Sequence, residues 1–169
     1  MTTDSYEMML HDLPHGEVRR LFGAGAEINQ PDQYGSFLLT AASEQLQPEN
    51  VKYLIALGAN LDCRNIHGDT PLLCAIDVAH HNPAAAYEIA NSLIVAGADI
   101  EARGYMDKTP FLKACSRGCL DILRLLVASG CDINAVVTDL GHSASGTEFA
   151  NIFDTSPEFK AYLHGLYHA

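Results

Sequence analysis

Two markers recur along this chain and keep step with each other. The first is a glycine followed by a polar-apolar step: GAEIN at Gly25, GANLD at Gly58, GADIE at Gly97 and GCDIN at Gly130, in strides of 33, 39 and 33 residues. The second is GSFLLTAA at Gly35, GDTPLLCAI at Gly68 and DKTPFLKAC at Asp107, in strides of 33 and 39. Both series stretch by the same six residues at the same place, so one repeating unit carries one insertion. A period in this range belongs to units that bury a face against their neighbours, each contacting only the next.

Within a unit the residues prescribe a turn and two helices. Thr70-Pro71 and Thr109-Pro110 are helix starts, because threonine caps a free N–H and proline at the first turn sacrifices no helical bond. In IANSLIVAG and LDILRLLVASG the apolar residues recur at three and four positions, the stripe of a helix with one buried face. Glycines 25, 58, 97 and 130 suit a left-handed helix end. These residues resemble the ankyrin repeat family, over nearly the whole chain and most closely from Asn29 to Asn134. The resemblance implies an all-α solenoid of about five helix-turn-helix units with short β-turn loops. Its expected divisions are an N-terminal cap at 1–28, repeats at 29–61, 62–100 and 101–133, and a C-terminal cap at 134–169.

Departures from the family pattern carry their own expectations. The family follows Thr-Pro-Leu with a histidine that ties adjacent turns; here those positions are Thr40, Leu73 and Leu112, so the tie is expected to be lost or replaced by apolar packing. The first repeat has Phe37-Leu38 in place of Thr-Pro. The six extra residues fall within DVAHHNPAAAYEIAN and are expected to lengthen the first helix or to form a loop holding His80 and His81. Asn82 and Pro83 would then cap and begin the second helix. SYEMMLHDL and HGEVRRLFGAG read as an N-terminal helix pair. AVVTDLGHSASG reads as a long connection, and TEFANIFD and SPEFKAYLHGLY as a last pair opened by Ser156.

Charge narrows the partners. With 21 acidic and 10 basic side chains the formal net charge is −11, which disfavours nucleic acid and anionic membranes and favours a basic protein. The start, MTTDSYEMMLHDL, has neither a basic nor a long apolar region, so a secretory signal is not expected. No apolar run approaches the length of a membrane span. Five cysteines, an odd count lying mostly in apolar patterns, fit reduced thiols in a cytoplasmic protein.

No catalytic signature appears: no phosphate-binding loop, nucleotide fingerprint, Gly-x-Ser-x-Gly elbow or His-Glu-x-x-His pair. Cys115 and Cys119, and His164 and His168, are each four apart, but neither pair has further ligands at metal spacing. No enzyme, cofactor, metal site or small-molecule ligand is expected.

The family resemblance instead implies binding along a concave strip made by the turn tips and the exposed face of the first helices. Carried over unit by unit, the tips offer Gln33, Tyr34 and Ser36, then Arg64, Ile66, His67 and Asp69, then Arg103, Tyr105, Met106 and Lys108. The helices add Glu44 and Gln45, Asp77 and Val78, and Ser116 and Arg117. Ile66, Tyr105 and Met106 are large apolar residues where a solvated tip needs only polar ones. An acidic array of this size is expected to bind and inhibit or sequester another protein, such as a toxin blocked by a bacterial immunity protein. The alternative is a scaffold subunit working through self-association.

Overall fold

Helices begin where the sequence supplies capping side chains. The computed structural model describes residues 28–139, 142–153 and 155–168; the expected N-terminal helix pair lies outside the described residues. The Thr70 hydroxyl accepts the Leu73 N–H at 3.4 Å and Thr109 accepts that of Leu112 at 3.3 Å, opening α3 (Pro71–Asp77) and α5 (Pro110–Arg117). In α1 (Leu38–Glu44) Phe37 has no capping group. Thr40 reaches back instead, accepting the Phe37 N–H at 3.1 Å and donating to its carbonyl at 2.7 Å. The second helices are α2 (Pro48–Ala56), α4 (Pro83–Ala96) and α6 (Leu120–Ala128). Gly58, Gly97 and Gly130 follow them with φ of 83°, 98° and 84°, the left-handed ends anticipated from sequence.

The insertion meets the expectation in part: it forms the turn that holds His80 and His81, but most of its length goes to the second helix and none to the first. It leaves α3 at 7 residues, the length of α1, and extends the second helix, α4, to 14 residues against 9 in α2 and α6. The cause is local: Asn82 accepts the Ala85 N–H at 3.2 Å and Pro83 fixes the first turn, so the helix starts early. Residues 78–81 make a short turn that exposes His80 and His81, with ring centroids 3.9 Å apart. The extra turn of α4 overhangs α6 and opens a groove of about 700 Å³ lined by Pro83, Tyr87, Arg124 and Leu125 among others.

The expected long connection after Asn134 is a hairpin. β1 (Val136–Asp139) pairs antiparallel with β2 (His142–Ser145), Val136 opposite Ser145 and Asp139 opposite His142. The β-branched Val136-Val137-Thr138 run favours an extended chain. Val137 and Ala144 fix its face by packing on the core. The last pair, α7 (Gly146–Ile152) and α8 (Pro157–Tyr167), forms as anticipated, with Ser145 capping the first and Ser156 the second.

The first helices α1, α3, α5 and α7 stack in one row, and α2, α4 and α6 in a second. Between the rows Leu38, Leu54, Leu72, Leu93, Phe111, Leu126 and Phe159 are fully enclosed. Small residues on the first helices, Ala41, Ala42, Ala75 and Ala114, allow this close stacking.

The glycine marker explains itself at the seams. Asn60, Asp99 and Asp132 each accept, through a side-chain oxygen, the N–H two residues on. The marker's last residue then bonds the next unit: Asn29 accepts the Asn60 N–H at 2.7 Å, Asp62 that of Asp99 at 2.9 Å, and Glu101 that of Asp132 at 2.6 Å. Part of the chain's acidity is therefore structural. The missing histidine tie is also replaced, though by another residue. Leu73 and Leu112 are simply buried, while Arg64 bonds the carbonyls of Gly68 and Arg103, both at 2.6 Å, and Arg103 bonds those of Asp107 and Val136 at 2.9 and 3.2 Å. A guanidinium, with several donors in one plane, spans two turns that a single imidazole would otherwise join.

Candidate functional site

Each turn tip is a five-residue loop closed by the same backbone bonds. In the first, Gly35 N–H bonds the Asp32 carbonyl at 3.0 Å and Asp32 N–H bonds Ser36 at 2.8 Å; Asn65–Asp69 and Gly104–Lys108 repeat this pattern. In the first two tips a side-chain oxygen holds the interior. Asp32 accepts from the N–H groups of Tyr34 and Ser36, and Asn65 from those of His67 and Asp69, all between 2.9 and 3.0 Å. Gly35 and Gly68 supply the left-handed residue at φ 81° and 82°.

The third tip has neither device. Gly104 occupies the Asp/Asn position, and Met106 and Asp107 themselves take φ of 58° and 56°. An acceptor for a neighbouring N–H comes from the unit before: Asp69 Oδ1 accepts the Tyr105 N–H, one position ahead of the N–H groups held in the other tips, at 2.8 Å. A Cβ at residue 104 would lie 2.1 Å from that oxygen and 2.5 Å from Leu73 Cδ1, so only glycine leaves room for it.

Beneath the tips runs a polar chain along the concave face. Glu44 accepts from Asn65 at 2.7 Å and from the Cys74 thiol at 3.3 Å. One unit on, Lys113 takes the place of Cys74 and Asp77 that of Glu44, their ammonium and carboxylate 3.2 Å apart. Lys113 also pairs with Asp69 at 2.7 Å, and Arg117 with Asp77 at 2.8 Å. Burial alone would raise the Asp77 pKa. The Arg117 hydrogen bond and the charges of Lys113 and Arg117 outweigh it and hold the carboxyl below the ordinary aspartate value. The Lys108 pKa is lowered as well, by burial first and then by repulsion from Lys113 and Arg117, which for an ammonium disfavours the charged form. The Lys108 ammonium lies 4.4 Å from the Phe149 ring centre and 5.5 Å from that of Phe153.

The expected strip residues divide accordingly. Gln33, Tyr34, Arg64, Ile66, His67, Arg103, Tyr105, Met106 and Arg117 are exposed, and Glu44, Gln45, Asp77 and Val78 half-buried. Ser36, Asp69, Lys108 and Ser116 are buried and offer little surface for contact: Ser36 closes its turn, Asp69 pairs with Lys113, Lys108 lies over the Phe149 ring and Ser116 donates to the Lys113 carbonyl within α5. Arg64 and Arg103 are exposed but already committed to the inter-unit ties. Four tip residues remain as large apolar surface: Tyr34 at 61% exposure, Ile66 at 68%, Tyr105 at 57% and Met106 at 60%. His67 joins them edge-on to Tyr105, with ring centres 6.3 Å apart.

Sequence reasoning missed Lys113, Asn65 and Cys74, which organise the face, and Ile152 and Phe153, which extend it. The last two are 68% and 51% exposed. They occupy the seventh and eighth places after the Ser145 cap, as Asp77 and Val78 do after Thr70. Counting from caps would have found them.

None of the described thiols is activated as a nucleophile. Burial raises every thiol: Cys63 to about 12, Cys119 and Cys131 to about 11, and Cys74 and Cys115 well above the ordinary value, so all five stay protonated at neutral pH. Among the described residues no three His, Cys, Asp or Glu side chains converge, and no helix is long and apolar enough to cross a membrane.

A stack of paired helices joined by closed, exposed turn tips defines a repeat protein of the interaction class. Family models for ankyrin repeats match it, one of three copies over residues 13–104 and one of a single repeat over 106–137. The chain belongs to the ankyrin repeat family, whose members are protein–protein interaction modules. Its curated relatives include the mouse B-cell lymphoma 3 protein homolog, 30% identical over 57% of this chain and 21% of that protein. The Drosophila melanogaster ankyrin repeat and KH domain-containing protein mask is 39% identical over 37% of this chain and 1% of that one. A variola virus ankyrin repeat protein, OPG189, is 24% identical over 86% of this chain and 24% of its own length. The chain thus spans less than a quarter of each of these relatives.

Proposed function

We propose that this chain is a non-catalytic binding module that docks another protein on its turn tips and concave strip, and by occupying that partner inhibits or sequesters it. The observation that carries the reading is the register of exposed apolar tips: Tyr34, His67 and Met106 fall at one repeat position, with Ile66 and Tyr105 beside them. Aromatic and thioether side chains on projecting loops are costly as solvated surface and effective as anchors in a partner's pocket. The net charge of −11 favours a basic partner through long-range steering, while the strip itself mixes Arg117 with Asp77 and makes the short-range contact apolar. A basic toxin held by an acidic immunity protein in a reducing cytoplasm fits these features. The test is affinity capture from the native lysate with wild type beside a Tyr105→Ala, Met106→Ala, His67→Ala variant of unchanged circular dichroism. A basic protein retained by wild type, lost by the variant and released by salt is the expected result. A partner kept equally by both would place the interface elsewhere. No partner together with a homogeneous dimer in light scattering would favour self-association.

A further inference from the structure

We propose that Asp69 and Lys113 are positioning residues that hold the third tip, Tyr105–Met106, in its binding shape; this rests on the tips being the interface. The first two tips are self-contained, each with its own Asp or Asn and its own glycine. A loop that only had to turn would repeat that cassette a third time. Here the cassette is replaced, and the result is a phenol and a thioether displayed on a backbone that glycine would adopt more easily.

The third tip is held from outside itself. Asp69 Oδ1 fills the space vacated at Gly104 and bonds the Tyr105 N–H, while Oδ2 bonds the Lys113 ammonium. Lys113 is 4% exposed, so a mobile surface ion pair is not an option: it is locked between Asp69 and Asp77. Arg103 grips the opposite side through the Asp107 carbonyl and carboxylate. The tip is thereby ordered before a partner arrives, which removes part of the ordering cost from binding. Lys113 and Asp69 touch no partner in this arrangement; they act through the Tyr105 backbone.

Amide hydrogen exchange on the isolated chain tests this without a partner. In Asp69→Ala the Tyr105 amide is expected to exchange at least about tenfold faster while the Cys115 and Leu123 amides keep their protection. Lys113→Gln should give a smaller local acceleration, and Lys113→Arg should restore protection. If Asp69→Ala fails to fold, the Lys113→Gln and Lys113→Arg pair carries the same readout. Uniform acceleration across both units would reduce the pair to a structural role, and an unmoved Tyr105 amide would show that it holds nothing; either overturns the proposal. The capture experiment, repeated with Lys113→Gln, should retain less partner than wild type. Undiminished retention despite a loosened Tyr105 overturns the positioning role, whereas loss of the interface reading itself would appear in the tip variant.

Discussion

The second and third turn tips close the same loop with opposite economies of residues. Asn65–Asp69 contains everything it needs: an amide oxygen for two N–H groups and a glycine at the left-handed position. Gly104–Lys108 contains neither, and borrows an acceptor from Asp69 in the unit before, which Lys113 in the helix after holds in place. A self-contained turn is robust and locally encoded. A borrowed turn couples the displayed residues to two neighbouring units, and a change to any of the three should register at the tip.

Lys113→Met should break the comparison most severely. It leaves the Asp69 carboxylate buried without its cation, a loss of about 3 kcal/mol by chemical denaturation. Gly104→Ala should cost about 2 kcal/mol, since its Cβ overlaps the Asp69 carboxylate and Leu73. At the self-contained tip Gly68→Ala meets no atom within 4 Å and should cost only its left-handed backbone, about 1 kcal/mol. Equal costs at 68 and 104 would erase the distinction. Met106→Gly sharpens it from the other side: it should stabilise the fold slightly, by less than about 1 kcal/mol, while weakening partner capture.

Acid provides a variant-free check. Asp77 has its folded pKa held below the unfolded value, so its contribution is present above the unfolded pKa and disappears as pH falls through the folded one. Stability measured by denaturant titration should therefore decline below about pH 4, and less steeply in Asp77→Asn.

The architecture was legible because it is written periodically. The Thr70 and Thr109 caps, the closing glycines and the Ser156 start all follow from side chains acting within a few residues. The hairpin was missed because AVVTDLGHSASG mixes a short β-branched run with loop residues, and only the packing of Val137 and Ala144 shows which wins. Of the two readings of the insertion, the turn holding His80 and His81 forms and the longer first helix does not; the Asn82-Pro83 start, readable in sequence, sends most of the added length into α4. At the site the exposed apolar tips were readable as residues too large for a turn. The supporting network was not: Asp69 and Lys113 are 44 positions apart, and no local rule pairs them. The same distance hid the roles of Arg64 and Arg103, which looked like surface contacts and are ties between units.

The most direct test of the account places a photo-crosslinking amino acid at residue 105, on the borrowed tip, and in a second protein at residue 95, on the exposed outer side of α4. Irradiated in the native lysate, the first should give one discrete partner adduct that salt weakens, and the second none. A partner adduct at residue 95 with none at 105 would contradict the claim that the tips are where this protein binds.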